Sequence, residues 1–264
     1  MVEAIATVNE KRLSRAEHRL HLRCEIAPDD AVDAVDRWID LPIVGLVSIN
    51  DHTPGQRQFL DAEKLKQYYM GKHLMTADQF EEFRTKALEL HARNAARHRR
   101  EIVARAQARA LPLASHDDAT HDHVVEAIDD GMTIAEFPTT HEAAAASRKA
   151  GMAVLVGAPN LVLGGSHSGN VAAIDLLREG QADILSSDYV PASLVEAVFR
   201  LPGAGIGMTL PDAVRLASRN PAMAVGLADR GEIAAERRAD LVRVRLNDHA
   251  PVVRGVWREG ERVV

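Results

Sequence analysis

Short apolar runs alternate with helix-patterned stretches along most of the chain, and that alternation limits the fold more than any other feature. The strand-like runs are Arg19–Ile26, Ile43–Asn50, Leu111–Ser115, Thr133–Phe137, Ala153–Ala158 and Asp183–Ser187. Helical patterns fill the intervals, among them His121–Asp130, His141–Ala150 and Val171–Gly180. Strand, helix and strand in repetition signal βαβ crossovers and hence a parallel sheet. The predicted class is α/β: an incomplete (β/α) TIM-type barrel with about six of the eight strands that closure needs. It occupies residues 1–222. Residues 223–264 change character, with β-prone runs at Leu241–Val244, Val252–Arg258 and Arg262–Val264 that predict a small C-terminal β-sandwich remnant.

One connection is too long for a simple crossover. Residues 61–110 are helical in pattern, with a break at Gly71 and Thr76, and predict two or more helices inserted over one end of the barrel. The later part carries Arg93, Arg97, Arg99, Arg100, Arg105 and Arg109. A solvated helix face accounts for such a run. A cationic lid or a subunit contact is the sharper alternative and leaves room for a homo-oligomer.

Composition narrows the partners. A net charge of −6 argues against a general nucleic-acid binder, so an anionic substrate must meet local cations. Cys24 is the only cysteine, which rules out a disulfide framework and fits a reducing cytoplasm. The apolar runs are too short and too often interrupted to cross a membrane.

The candidate chemistry lies at strand ends. In the first strand, Leu20, Leu22, Cys24 and Ile26 share one face, and Arg19, His21, Arg23 and Glu25 the other. Four ionisable groups in a row cannot line an inert core, since unpaired buried charge is costly. That face therefore belongs to a polar barrel mouth or to an edge strand in solvent. The later strands end in Asp51-His52, His116-Asp117-Asp118 and Asp188. Glu25, His52, His116 and Asp188 thus sit at the carboxyl ends of different strands, where barrel active sites form. Two imidazoles and two carboxylates make a divalent-metal donor set of one or two ions. Asp117 and His121 are substrate or supporting contacts, while Asp118 has the placing of a helix cap. After the fifth strand, Asn160, Gly164, Gly165, Ser166, His167, Ser168 and Asn170 lead into a helix. Glycines admit close backbone approach and a helix start offers donors, so this segment is a candidate phosphate loop. Arg57 is a second candidate phosphate contact.

Several strings together carry a resemblance: RAEHRLHLRCE (Arg15–Glu25), NDHTPGQRQF (Asn50–Phe59), LASHDDATHDH (Leu113–His123), EFPTTHEAAAASRKAGM (Glu136–Met152), GAPNLVLGGSHSGN (Gly157–Asn170) and DILSSDY (Asp183–Tyr189). They resemble the diphosphatase family of the carbon–phosphorus lyase pathway for phosphonate use, within the amidohydrolase superfamily. The tail Asn220–Val242 resembles amidohydrolases more generally. The resemblance implies hydrolysis of a ribose 1-methylphosphonate 5-triphosphate to the 5-phosphate and pyrophosphate. It implies Glu25, His52, His116 and Asp188 as metal ligands, with Asp188 also handling the proton. Amidohydrolase barrels open with a strand ending His-x-His or His-x-Asp; here only His18 and His21 precede Glu25, and neither forms that motif. The resemblance therefore implies an N-terminally truncated member with reduced activity. A non-catalytic remnant binding a phosphorylated ligand or partner, and an amide or ester hydrolase, are the alternatives.

Overall fold

A computed structural model describes residues 1–59, 65–66, 75–165, 170–248 and 250–264. The chain divides into two compact units, His21–Met152 with His167–Asn170, and Met1–Leu20 with Ala153–Ser166 and Val171–Val264. This division departs from the sequence boundary at 222. The first twenty residues, including a helix α1 (Val2–Glu10) not anticipated from the sequence, group with the tail. Glu17 accepts hydrogen bonds from Arg230 and Arg238, and Arg258 Nη1 donates to Ser14 O.

Four strands build the unit around His21–Met152: β1 (Leu20–Glu25), β2 (Val44–Asn50), β3 (Leu113–His116) and β4 (Ile134–Glu136), in that order across the sheet. β2 and β3 are parallel, with Val47 opposite Leu113, and β3 and β4 are parallel, with His116 opposite Glu136. Helices α2 (Ala31–Trp38), α3 (Ala77–Gln107), α4 (His121–Asp129) and α5 (His141–Lys149) form the connections. Caps explain where they start. Thr76 and Gln79 form a reciprocal capping box at α3, and Thr120 and Thr140 accept from His123 N and Ala143 N. Asp118, expected to cap the helix after β3, does not; Thr120 has that role.

The expected insertion contains one 31-residue helix, α3, preceded by a segment that includes Gly71 and lies largely outside the described residues. One side of α3 buries Ile102, Val103 and Ala106. Its arginines are spent within the fold: Arg93 pairs with Asp29, Arg105 with Asp36, Arg109 with Asp40, and Arg99 with Glu126 and Asp130. That commits four of the six arginines to intramolecular carboxylates, the opposite of a free cationic lid.

The other unit holds β5 (Ala153–Gly157) and β6 (Ile184–Ser186), a parallel pair with Val156 opposite Leu185. Between them, α6 (Ala158–Leu163) occupies the start of the expected glycine-rich loop and ends at Gly164 with φ +82°, a left-handed C-cap that glycine adopts without strain. Then come α7 (Ala173–Arg178), α8 (Ser193–Arg200), α9 (Leu210–Ala217) and α10 (Arg219–Ala224). The tail forms a separate antiparallel sheet of β7 (Leu241–Asn247), β8 (Ala250–Arg258) and β9 (Glu261–Arg262). No described helix is long and apolar enough to cross a membrane.

Cys24 lies on the buried face of β1 beside the carboxylate of Glu25. Burial, with a smaller contribution from that charge, pushes its thiol up to about 12. A thiol so held is a poor nucleophile. Native protein is predicted to resist maleimide labelling at neutral pH and to label fully in urea, as read by mass spectrometry; rapid native labelling would show that β1 does not pack as described.

Candidate metal centre

Parallel pairing brings the carboxyl ends of β2, β3 and β4 side by side, so the residues just past them gather. His52, His116 and Asp117 each point one ligand atom to a common place, all three atoms within 4.8 Å of one another. His52 Nε2 lies 3.5 Å from Asp117 Oδ2, and His116 Nε2 lies 3.5 Å from the same oxygen. His116 and Asp117 are buried, and the two imidazoles meet edge to face with centroids 5.5 Å apart. Two imidazoles and a carboxylate are the donors a catalytic divalent ion takes from a protein when it keeps an open position. Asp117, which the sequence suggested as a substrate contact, is thus a donor of the cluster. Its backbone sits at φ +56°, a left-handed conformation that aspartate tolerates better than most residues.

A second set of groups orients the first. His116 Nδ1 is 3.1 Å from Glu136 Oε2, so with Nδ1–H donating to that carboxylate, Nε2 faces the cluster. His52 Nδ1 hydrogen-bonds Glu25 Oε1, which turns its Nε2 toward Asp117. Glu25 therefore meets the ring of His52 and is not one of the three convergent donors. Burial opposes a charge on His52, but the hydrogen bonds to Asp117 and Glu25 outweigh it and lift its pKa to about 9. Burial likewise opposes the Glu25 carboxylate, and the bond and charge of His52 hold its pKa below the usual range. A divalent ion on His52 must displace that proton.

The polar face of β1 completes the arrangement. His21 Nε2 is 2.8 Å from Ser48 Oγ, Glu25 reaches His52, and Arg23 Nη2 reaches His116 Nε2 at 3.0 Å. The face expected at a barrel mouth is occupied by contacts to β2 and to the end of β3, not by solvent alone. Helix α3 holds the loops that carry these groups. His98 Nδ1 donates to Ile26 O, Asn94 Nδ2 donates to Ala27 O, and His91 Nδ1 lies 3.2 Å from Asp51 Oδ2.

The remaining site expectations fall elsewhere. Arg57 is buried, held by Asp118 and Glu126, and Asp118 is also bonded by Ser115 Oγ. His121 is exposed at the start of α4, where its N–H donates to Glu142. Asn160 uses its side-chain oxygen to accept from Ala173 N, and its carbonyl accepts from Gly164 N and Gly165 N. Asp188 is exposed just past β6 with φ +46°, its N–H donating to Ser186 Oγ. Asn170 is half-buried, whereas Ser166, His167 and Ser168 lie outside the described residues. Sequence reasoning missed Glu136, although β4 also ends in a carboxylate, the same signal that singled out Glu25. It also missed the stripe His91, Asn94 and His98, whose helical spacing was visible.

Comparison with known proteins fixes the family. Residues 57–263 match the model of the amidohydrolase family, most of the chain. The chain belongs to the amidohydrolase family. Over all 264 residues it is 50% identical to the alpha-D-ribose 1-methylphosphonate 5-triphosphate diphosphatase of Escherichia coli (strain K12), and it spans 70% of that relative. Among solved structures, the N-acetylglucosamine-6-phosphate deacetylase of Pasteurella multocida aligns over 99% of this chain and 80% of its own, with 15% identity and a TM-score of 0.52. An amidohydrolase of Thermotoga maritima MSB8 aligns over 95% and 63%, with 18% identity and a TM-score of 0.50. At such identities these two show the fold alone, and they bear out the partial amidohydrolase barrel. Metal dependence is general in this family, and the His52, His116 and Asp117 cluster suits it.

Glu136 accepts from His116 Nδ1 and so fixes the orientation of a candidate donor ring. Glu136→Gln is predicted to weaken Mn²⁺ binding by about 10- to 100-fold, measured by isothermal titration. Unchanged affinity would show that His116 is not oriented for metal in this way.

Proposed function

We propose that this chain is a metal-dependent phosphoric-anhydride hydrolase that acts on alpha-D-ribose 1-methylphosphonate 5-triphosphate, releasing pyrophosphate and the 5-phosphate. The observation that carries the reading is the convergence of His52, His116 and Asp117 in a chain half identical to a diphosphatase of that name. His52, His116 and Asp117 would hold a divalent ion, which would supply acidification of water and offset charge on phosphoryl oxygens. Hydrolysis adds water across the anhydride: its oxygen bonds to phosphorus, the bridging P–O bond breaks and pyrophosphate departs. Asp188 is proposed to take the water's proton and to serve as a further metal ligand. Glu25 fixes the ring of His52 through Nδ1. A second ion, if bound, would draw on Glu25 and Asp188. The proposed substrate contacts are Arg57, His121, Asn160, Gly164, Gly165, Ser166, His167, Ser168 and Asn170, while Asp117 is counted among the donors. Arg57 would act mainly through the loop it anchors, since its guanidinium is committed to Asp118 and Glu126.

The cytoplasm is the proposed compartment, in keeping with a single, buried cysteine. Self-association is proposed along β1, which among the described residues has only β2 as a sheet neighbour. Among the described residues the convergent donors are His52, His116 and Asp117, and the chain spans 70% of the Escherichia coli relative. The test is ³¹P NMR of the ribose triphosphate with Mn²⁺, next to N-acetyl sugar phosphates and cyclic amides. Pyrophosphate should appear from the triphosphate, cease on chelation and return with added metal. Release of orthophosphate alone, or preference for an amide, overturns the diphosphatase reading. Asp188→Asn is predicted to lower turnover at least about 100-fold with an unchanged melting temperature; near-normal turnover would remove Asp188 as the base.

A further inference from the structure

Most arginines of the unit around His21–Met152 that reach its interior or clasp its helices are paired with carboxylates: Arg57, Arg93, Arg99, Arg105 and Arg109. Arg23 differs. Among the described residues it has no ion pair with a carboxylate; its Nη2 lies 3.0 Å from the Nε2 of His116. A guanidinium can only donate, so Nε2 accepts through its lone pair, and the ring proton sits on Nδ1 toward Glu136. That is the same lone pair a metal ion takes from His116. Arg23 also borders, with Glu25, a cavity of about 300 Å³ whose other walls include Cys24, Asp30, Val35 and Trp38. The arginine is exposed, so leaving His116 uncovers no buried charge.

We propose that Arg23 and a divalent ion are alternative partners of His116 Nε2, and that the arginine, once displaced, binds a phosphoryl group of the triphosphate. This rests on His116 being a metal ligand, as proposed above. The physical reason is charge. Two cations beside one imidazole repel each other, whereas a polyanion between them is attracted to both. A guanidinium suits phosphoryl oxygens because it donates two parallel hydrogen bonds. Metal and anion binding are then coupled through one side chain, and the coupling must be reciprocal.

The experiment uses Mn²⁺ alone and inorganic tripolyphosphate with the wild-type chain, Arg23→Gln and Arg23→Lys, read by isothermal titration. Arg23→Gln is expected to bind Mn²⁺ about five-fold or more tightly than wild type, because the competing cation is gone. With Mn²⁺ bound, wild type is expected to hold tripolyphosphate at least about five-fold more tightly than Arg23→Gln, with Arg23→Lys recovering part of the difference. Equal or weaker Mn²⁺ affinity in Arg23→Gln overturns the competition. Equal tripolyphosphate affinity in wild type and Arg23→Gln overturns the handover to substrate. If neither protein binds Mn²⁺, the metal-centre reading itself fails and the inference falls with it, a result distinct from the other two.

Discussion

Parallel strand pairing in a fixed register is the constraint on which the candidate centre depends. Because β2, β3 and β4 run the same way, their carboxyl ends share one rim, and a residue one or two places past each strand has nowhere else to go. The pairing of His116 with Glu136 is a register contact before it is a chemical one. A slip of a single residue would turn both side chains to the other face of the sheet. The turn that follows each strand adds a second restraint. Asp117 and Phe137, one past the ends of β3 and β4, both adopt left-handed backbone at φ +56° and +54°. Such conformations cost energy for residues other than glycine and recur where a backbone is held for function. Here they end each strand abruptly, and the ring of Phe137 packs edge to face on His116.

Helix α3 does for the loops what register does for the strands. Three polar residues on one side of it, His91, Asn94 and His98, hold groups in the loops after β1 and β2. Buried backbone carbonyls need partners, and the helix provides them to Ile26 and Ala27, directly after Glu25. The inserted helix is therefore part of the support of the centre, not a cover laid over it.

The sequence was most legible where a local period decides the outcome. The six strand positions of the two units and the three of the tail follow from alternation and from bounding turns, and each lies within a few residues of its observed place. The places of His52 and His116 were legible because they sit at strand ends. What stayed hidden depends on contacts between residues far apart in sequence. Nothing local in Arg57 tells that Asp118 and Glu126 hold it, 61 and 69 residues away. Nothing local in Arg23 points to His116, 93 residues on. Asp118 resembled a helix cap because aspartate suits that position, yet Thr120 was nearer the first turn and Asp118 was drawn to Arg57. Helix α1 buries no residue, so it leaves little apolar periodicity to detect.

The clasp between α2 and α3 bears on how the chain folds. Arg105 with Asp36 and Arg109 with Asp40 each join residues 69 apart, and Arg93 with Asp29 joins residues 64 apart. The entropy of closing such a loop is spent once, since it grows only with the logarithm of loop length. After Arg105 meets Asp36, Arg109 and Asp40 lie one turn's length further along both segments and close almost no further chain. The pairs should consequently form together, as a zipper with a slow first tooth. Folding of this unit would then be limited by the search that brings the distant helix to α2, as expected where contacts are remote in sequence. An arginine run that composition alone would leave as decoration on a helix thus ties two stretches of chain remote in sequence.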